Sequence, residues 1–191
     1  MSLNRSLFSG ENICLTPIDR EKDPEIESRW THDLEYLRML DVELARPLTP
    51  AQVKKRYEEL EKEIDEGRRQ FYFALRTTGE PERLIGFAEL PWVGWSQGFA
   101  LVRLGIGDPA DRRKGYGIEA LRLLMRYAFD ELNLFRLVAQ IPAYNQAAVR
   151  LFTRAGFVEE VRRREALHRA GRRWDMLELG LLRGEWEAGR E

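Results

Sequence analysis

The sequence predicts an α+β fold, a mixed and mostly antiparallel sheet with helices packed on its faces. Three observations carry that expectation. Extended segments cluster between turn-rich connections in the middle of the chain, strand and helix patterns then alternate, and the last two extended runs are joined by a hairpin signal. The alternating half requires at least one parallel pair with a right-handed crossover.

The elements follow in order. "ICLTP" reads as a short first strand. Asp23-Pro24 resembles an N-cap followed by proline at the first helical position, and Ile26, Trp30, Leu34 and Leu37 continue at helical spacing. A further helix opens at "LTPAQV", with Thr49 as cap and Gln52 completing a capping box; its stripe is Val53, Tyr57, Leu60 and Ile64, and Gly67 should end it. Gln70 to Thr77 and Arg83 to Trp92 are extended and separated by a turn composition, Thr78-Gly79-Glu80-Pro81. Gly98 to Gly107 completes a meander. Ile118, Leu121, Met125, Ala128 and Leu132 mark a helix from about Gly117 to Glu131. The apolar strand "LFRLVAQIP" leads to a helix carrying Ala148, Leu151, Phe152 and Ala155, which Asn145 is placed to cap and Gly156 to terminate. Phe157 to His168 and Trp174 to Leu182 flank the hairpin signal "RAGRR".

Composition narrows the function classes. The 191 residues read as one domain, 1–191, with 43% hydrophobic and 33% charged residues, the balance of a soluble globular protein. A net charge of −1 supplies no global field for nucleic acid or anionic lipid, and the arginine cluster Arg162 to Arg164 lacks an aromatic stacking array beside it. No run approaches the ~20 apolar residues of a membrane span. The N-terminal stretch lacks an apolar leader core, and the single Cys14 forbids an internal disulfide, so a cytoplasmic protein is expected. His32 and His168 have no second ligand at metal spacing, so no metal is expected.

The segment "DPADRRKGYGIEA", Asp108 to Ala120, carries the most chemistry. A strand ends near Gly107 and a helix begins near Gly117, and the first turn of that helix has N–H groups without internal partners at its positive dipole end. Gly115 and Gly117 lack Cβ atoms, so a bulky anion can approach the backbone, while Arg112, Arg113 and Lys114 add cationic charge. Together they form an anion cradle suited to a di- or polyphosphate. A Walker loop would need Gly-Lys-Ser/Thr where Gly115-Tyr116-Gly117-Ile118 stands, and the dinucleotide fingerprint needs a third glycine.

The spacing Arg112-x-x-Gly115-x-Gly117 resembles the acetyl-CoA pyrophosphate loop of the GNAT superfamily of N-acetyltransferases, Arg/Gln-x-x-Gly-x-Gly/Ala. "GYGIEAL" and "AYNQAAVRLFTRAGF" resemble its RimJ/RimL-like branch, which acetylates protein N-termini and related amines, and "GRRWDMLELGLLRGEW" looks like that branch's C-terminal hairpin. The resemblance covers Arg83 to Trp186; the residues before it agree in element order. It implies a sheet of about seven strands with a central splayed parallel pair. It also implies that acetyl-CoA is the co-substrate, with Ile106 and Gly107 contacting pantetheine. Arg112, Arg113, Lys114, Gly115, Tyr116, Gly117 and Ile118 would then hold the pyrophosphate. Asn145 would reach the cofactor or simply cap its helix, and Phe152 would line the channel or fill the core.

The reaction so implied is direct attack of a primary amine, on a protein N-terminus or a small molecule, on the thioester carbonyl. It benefits from a base for the amine and a proton donor for the thiolate. The strand Phe99 to Ile106 carries no Asp or Glu where many relatives hold a base, and Phe152 stands where many hold a tyrosine acid. Glu89 is the substitute base and Tyr144 the substitute hydroxyl donor; Glu89 facing solvent on an alternating strand is an equal reading. The rival class is a catalytically idle CoA-binding sensor of the same fold. Monomer and homodimer both stay open, as does the acceptor.

Overall fold

A computed structural model describes residues 7–67 and 69–189; part of the stretch on which the leader expectation rests lies outside them. The first half comprises β1 (Ile13–Thr16), α1 (Asp23–Trp30), α2 (Leu34–Leu40), α3 (Pro50–Gly67), β2 (Phe71–Thr77), β3 (Leu84–Leu90), β4 (Val93–Gly94), β5 (Phe99–Leu101) and β6 (Arg103–Ile106). The second comprises α4 (Tyr116–Arg126), β7 (Arg136–Pro142), α5 (Gln146–Arg154), β8 (Val158–Arg169), β9 (Arg172–Leu182) and α6 (Arg183–Ala188). A π-helical turn, Tyr127–Glu131, extends α4 to the end expected for it.

The strands form two sheets. One runs β1-β2-β3-β6 and is antiparallel throughout; the other runs β4-β5-β7-β9-β8 and is parallel only at β5–β7. The single run expected over Gly98 to Gly107 is therefore two strands belonging to different sheets. Val102 is the hinge: its N–H donates to Val138 O at 2.8 Å, and from Arg103 onward the strand pairs with β3 instead of β7. This is the splayed parallel pair, opened far enough to divide the expected sheet.

Packing holds the two sheets together. One apolar cluster joins Leu75 and Ile85 of the first sheet, Leu137 and Leu179 of the second, and Leu121, Leu124 and Phe129 of the α4 region. A smaller cluster of Trp30, Tyr36, Ala74 and Leu84 packs α1 and α2 against the opposite face of the first sheet. Side chains alternate along β6 accordingly. Leu104 packs toward α4, while a Cβ added to Gly105 would point at Tyr36 and Leu40.

Local chemistry explains the helix boundaries. The helical pattern that begins at Asp23 breaks at Thr31–Asp33, because the Asp33 carboxylate accepts the N–H of Glu35 at 2.9 Å and of Tyr36 at 3.1 Å and so starts a new helix. Asp23 is the first residue of α1 rather than its cap; its carboxylate takes the Asp19 N–H and the Arg76 guanidinium, each at 2.7 Å. Thr49 and Gln52 form the expected reciprocal box at the start of α3. The "RAGRR" hairpin turns through Ala170 and Gly171 with φ of 54° and 75°, the doubly positive geometry that tight hairpins use.

Gly107 follows β6 beneath the indole of Trp30. A Cβ there would stand 2.0 Å from Trp30 Cδ2. Gly107→Ala should therefore lower stability by about 2–3 kcal/mol, since neither the buried ring nor the strand can yield without repacking. A thermal melt checks this, and an unchanged Tm would contradict the packing described.

Candidate active site

Where β6 leaves β7, a cleft of about 710 Å³ passes through the opening. One wall is Leu104, Gly105 and Ile106 of β6; the other is the Tyr144–Ala148 segment and Arg150 and Leu151 of α5; α2 covers it with Glu35, Tyr36, Met39 and Leu40. Gly107 N–H donates to Ile85 O at 3.0 Å, so the odd positions of β6 bond to β3. The backbone groups of Leu104 and Ile106 consequently face the opening, where no strand pairs with them.

At one end of the cleft lies the loop between β6 and α4. Asp108 accepts the Ala110 N–H at 2.8 Å and opens a 3-10 turn, and Gly115, at φ 91°, reverses the chain into α4. Among the described residues no side chain caps the first turn of α4, so its N–H groups and positive dipole end are open to an anion. The loop's charges are divided between two tasks. Arg112 is turned inward, donating to Gly107 O at 2.7 Å, Ile106 O at 3.3 Å and Asp33 at 3.0 Å. Lys114 joins Arg83 on the buried Asp111 carboxylate, each bond lying between 3.0 and 3.1 Å, and the Arg83 bonds hold that carboxyl below its usual range.

Arg113 and Arg150 are different. Both line the cleft, and among the described residues neither guanidinium has an ion pair or hydrogen bond. Arg113 also holds φ at 64°, a strained backbone for a residue with a Cβ.

The sequence-derived residues separate accordingly. Ile106, Arg112, Arg113, Gly117, Tyr144 and Asn145 line the cleft. Gly115 and Ile118 border a second recess of about 500 Å³ on the other side of the α4 start, with Arg122 and Arg126. Gly107 does not present its backbone to the cleft, because Ile85 and Arg112 already engage it; Leu104 occupies the alternate position that does. Tyr116 packs against the core, and Phe152 is buried edge-to-face on Phe157 at 5.0 Å, so neither lines the cleft. Asn145 caps α5 through Ala148 N–H at 3.0 Å and donates to Met39 O at 2.8 Å. It is a cap and a clasp on α2.

The two substitute catalytic residues need correction. Glu89 does not reach the cleft: it is 5% exposed in the middle of β3, paired with Arg103, whose other end meets Asp41 at 2.7 Å. Burial pushes its carboxyl above the ordinary value, against the pull of Arg103. Tyr144 does line the cleft, but its hydroxyl proton is committed to Arg38 O at 2.9 Å. Sequence reading passed over Tyr36, Gly105 and Arg150. The "RLGIGD" glycine alternation was a usable signal for Gly105; nothing in the local pattern singled out a tyrosine on a short helix far away in the chain.

Among the described residues, no helix is long and apolar enough to cross a membrane. The model of the acetyltransferase (GNAT) domain family matches residues 12–158. The probable N-acetyltransferase YjcK of Bacillus subtilis (strain 168) is 29% identical over 160 residues, covering 81% of this chain and 84% of that protein. The putative ribosomal N-acetyltransferase YdaF of the same organism is 36% identical over 74 residues, 39% of this chain and 40% of that one. Among solved structures, spermidine N-acetyltransferase from Vibrio cholerae in complex with CoA and spermine superposes with a TM-score of 0.79 at 21% identity, covering 92% of this chain and 98% of that one.

Proposed function

Because the chain belongs to the acetyltransferase (GNAT) domain family and is an acetyl-CoA-dependent N-acetyltransferase, we propose that it acetylates a primary amine presented at the α2 side of the cleft. We read residues 1–191 as a single such domain of the RimJ/RimL-like type, acting in the cytoplasm. The observation that carries this reading is the opening between β6 and β7, which connects an uncapped helix N-terminus on one face of the sheet to a covered pocket on the other.

The residues present fit the carrier. The α4 N–H groups, Arg113 and Arg150 would hold its diphosphate, where Gly117 lines the cleft beside them. The backbone groups of Leu104 and the N–H of Ile106, whose carbonyl Arg112 already engages, would bond the pantetheine arm as a short added strand. The arm supplies a thioester whose carbonyl carbon accepts the amine lone pair. Glu35 at the mouth has no ion pair or hydrogen bond on its carboxylate among the described residues and would draw an ammonium group in. An amine must shed a proton before attack. An α-amine, titrating near ~8, does so more readily than a lysine near ~10.4, which favours a peptide N-terminus or a small amine of depressed pKa. The spermidine N-acetyltransferase among the similar structures supports a small amine as acceptor.

Thiol release from acetyl-CoA, measured against peptides with free N-termini and against polyamines, tests the reading. Turnover with at least one amine is expected. Binding of acetyl-CoA with no acetylation of any acceptor would instead assign the chain to the CoA sensors.

A further inference from the structure

We infer that the hydroxyl of Tyr36 is the hydrogen-bond donor that receives the thioester carbonyl oxygen and stabilises the negative charge it gains during amine attack. The inference rests on the acetyl-transfer reading above. Tyr36 is 6% exposed, lines the cleft, and its Oη has no hydrogen-bond partner among the described residues. A buried hydroxyl left without a partner costs about 1–3 kcal/mol, so a fold keeps one where something else completes it.

Its position selects what completes it. Gly105 is the β6 residue whose missing side chain lies on the α2 face, and a Cβ there would stand 3.2 Å from Tyr36 Oη. The hydroxyl thus hangs directly over the strand that borders the opening, on the face opposite α4. A carrier anchored at the α4 N-terminus and threaded through the opening would present its far end, the reacting end, beneath that hydroxyl.

The ring is held for the task. Tyr36 N–H is fixed by Asp33, and Asp33 also grips Arg112, whose guanidinium lies 5.6 Å from the Tyr36 ring centroid. Trp30 closes the other side, edge-on at 6.3 Å. Arg112 therefore acts as a positioning residue, tying the end of β6 to α2, more than as a phosphate ligand. Burial pushes the phenol pKa up, which keeps the proton on oxygen and makes full transfer to a thiolate unfavourable. A donor that stays protonated suits an oxyanion, whose charge appears only in the transition state.

The step balances without further reagents. The amine lone pair forms the C–N bond as the carbonyl π pair moves onto oxygen, under the Tyr36 hydroxyl. Collapse re-forms C=O and breaks C–S, the sulfur leaving with the bonding pair. The nitrogen's surplus proton passes through solvent, leaving amide and thiol.

The test compares native protein with Tyr36→Phe, using acetyl-CoA labelled with 13C at the thioester carbonyl. Isotope-edited infrared spectra should place the bound carbonyl stretch at lower wavenumber in the native protein than in Tyr36→Phe. kcat should fall at least tenfold, with Kd for acetyl-CoA within threefold and Tm not lowered. Identical carbonyl bands would overturn the assignment while leaving the acetyltransferase reading intact. A markedly lower Tm would overturn it too, since the hydroxyl would then be a structural group. Failure of the native protein to bind acetyl-CoA would sink both readings together.

Discussion

Arg113→Glu combined with Arg150→Glu should weaken CoA binding by at least a hundredfold while leaving Tm almost unchanged. The two guanidiniums border the cleft without partners among the described residues, and no interaction seen there uses them in folding. Each charge-assisted contact to a phosphate contributes about 1.5–3 kcal/mol, and reversing the charge replaces attraction with repulsion. Arg112 and Lys114 cannot substitute, being held by Asp33 and Asp111. A companion variant separates charge from strain. Arg113→Gly removes the guanidinium and also relieves a φ of 64°, so it should bind CoA about tenfold or more weakly and melt no lower than the native chain. Calorimetric titration with CoA at two salt concentrations reads both effects. Affinity within threefold of native for the double variant would remove the diphosphate from this end of the cleft.

That prediction depends on the structure, because the sequence showed only that cations cluster there. "DRRKGYG" announced an anion site through its glycines and its place before a helix, and α4 begins at that point. Which cation is free was not legible. It depends on Asp33 and Asp111 arriving from other parts of the loop and chain, and on Arg150 facing the cleft from α5. Periodicity marked most elements because burial of one face imposes it. It missed the break at Val102, where a continuous extended run changes partners without a change in pattern. It likewise ran α1 into α2, although Asp33 and the residues it caps were in plain view as a helix start. Phe152 and Glu89 illustrate a further limit. Both sit at positions where an apolar stripe or an alternating strand serves the core and a site equally well, and only packing decides between them.

Removing the arginine beside Glu89 should reveal what that carboxylate does. Arg103→Met leaves Glu89 buried and unpaired among Tyr72, Glu27 and Arg56, and should cost about 3–5 kcal/mol at pH 8. The pH dependence follows from the direction of the shift. The Glu89 carboxyl is already raised above the ordinary 4.5 by burial, and Arg103 is the chief influence holding it down. Without Arg103 it rises further. A carboxyl raised on folding contributes stability that is complete below its unfolded pKa and is lost as pH climbs through the folded value. The deficit of Arg103→Met relative to the native chain should therefore be smaller at pH 5 than at pH 8. Adding Glu89→Gln to Arg103→Met should restore much of the loss at pH 8, because a neutral amide no longer carries a buried charge. Denaturant melts of the three proteins at both pH values measure this directly. A deficit independent of pH, or one that Glu89→Gln does not reduce, would mean that the Glu89 charge is stabilised by something other than Arg103. It would also return Glu89 to consideration as a group whose proton is free to move.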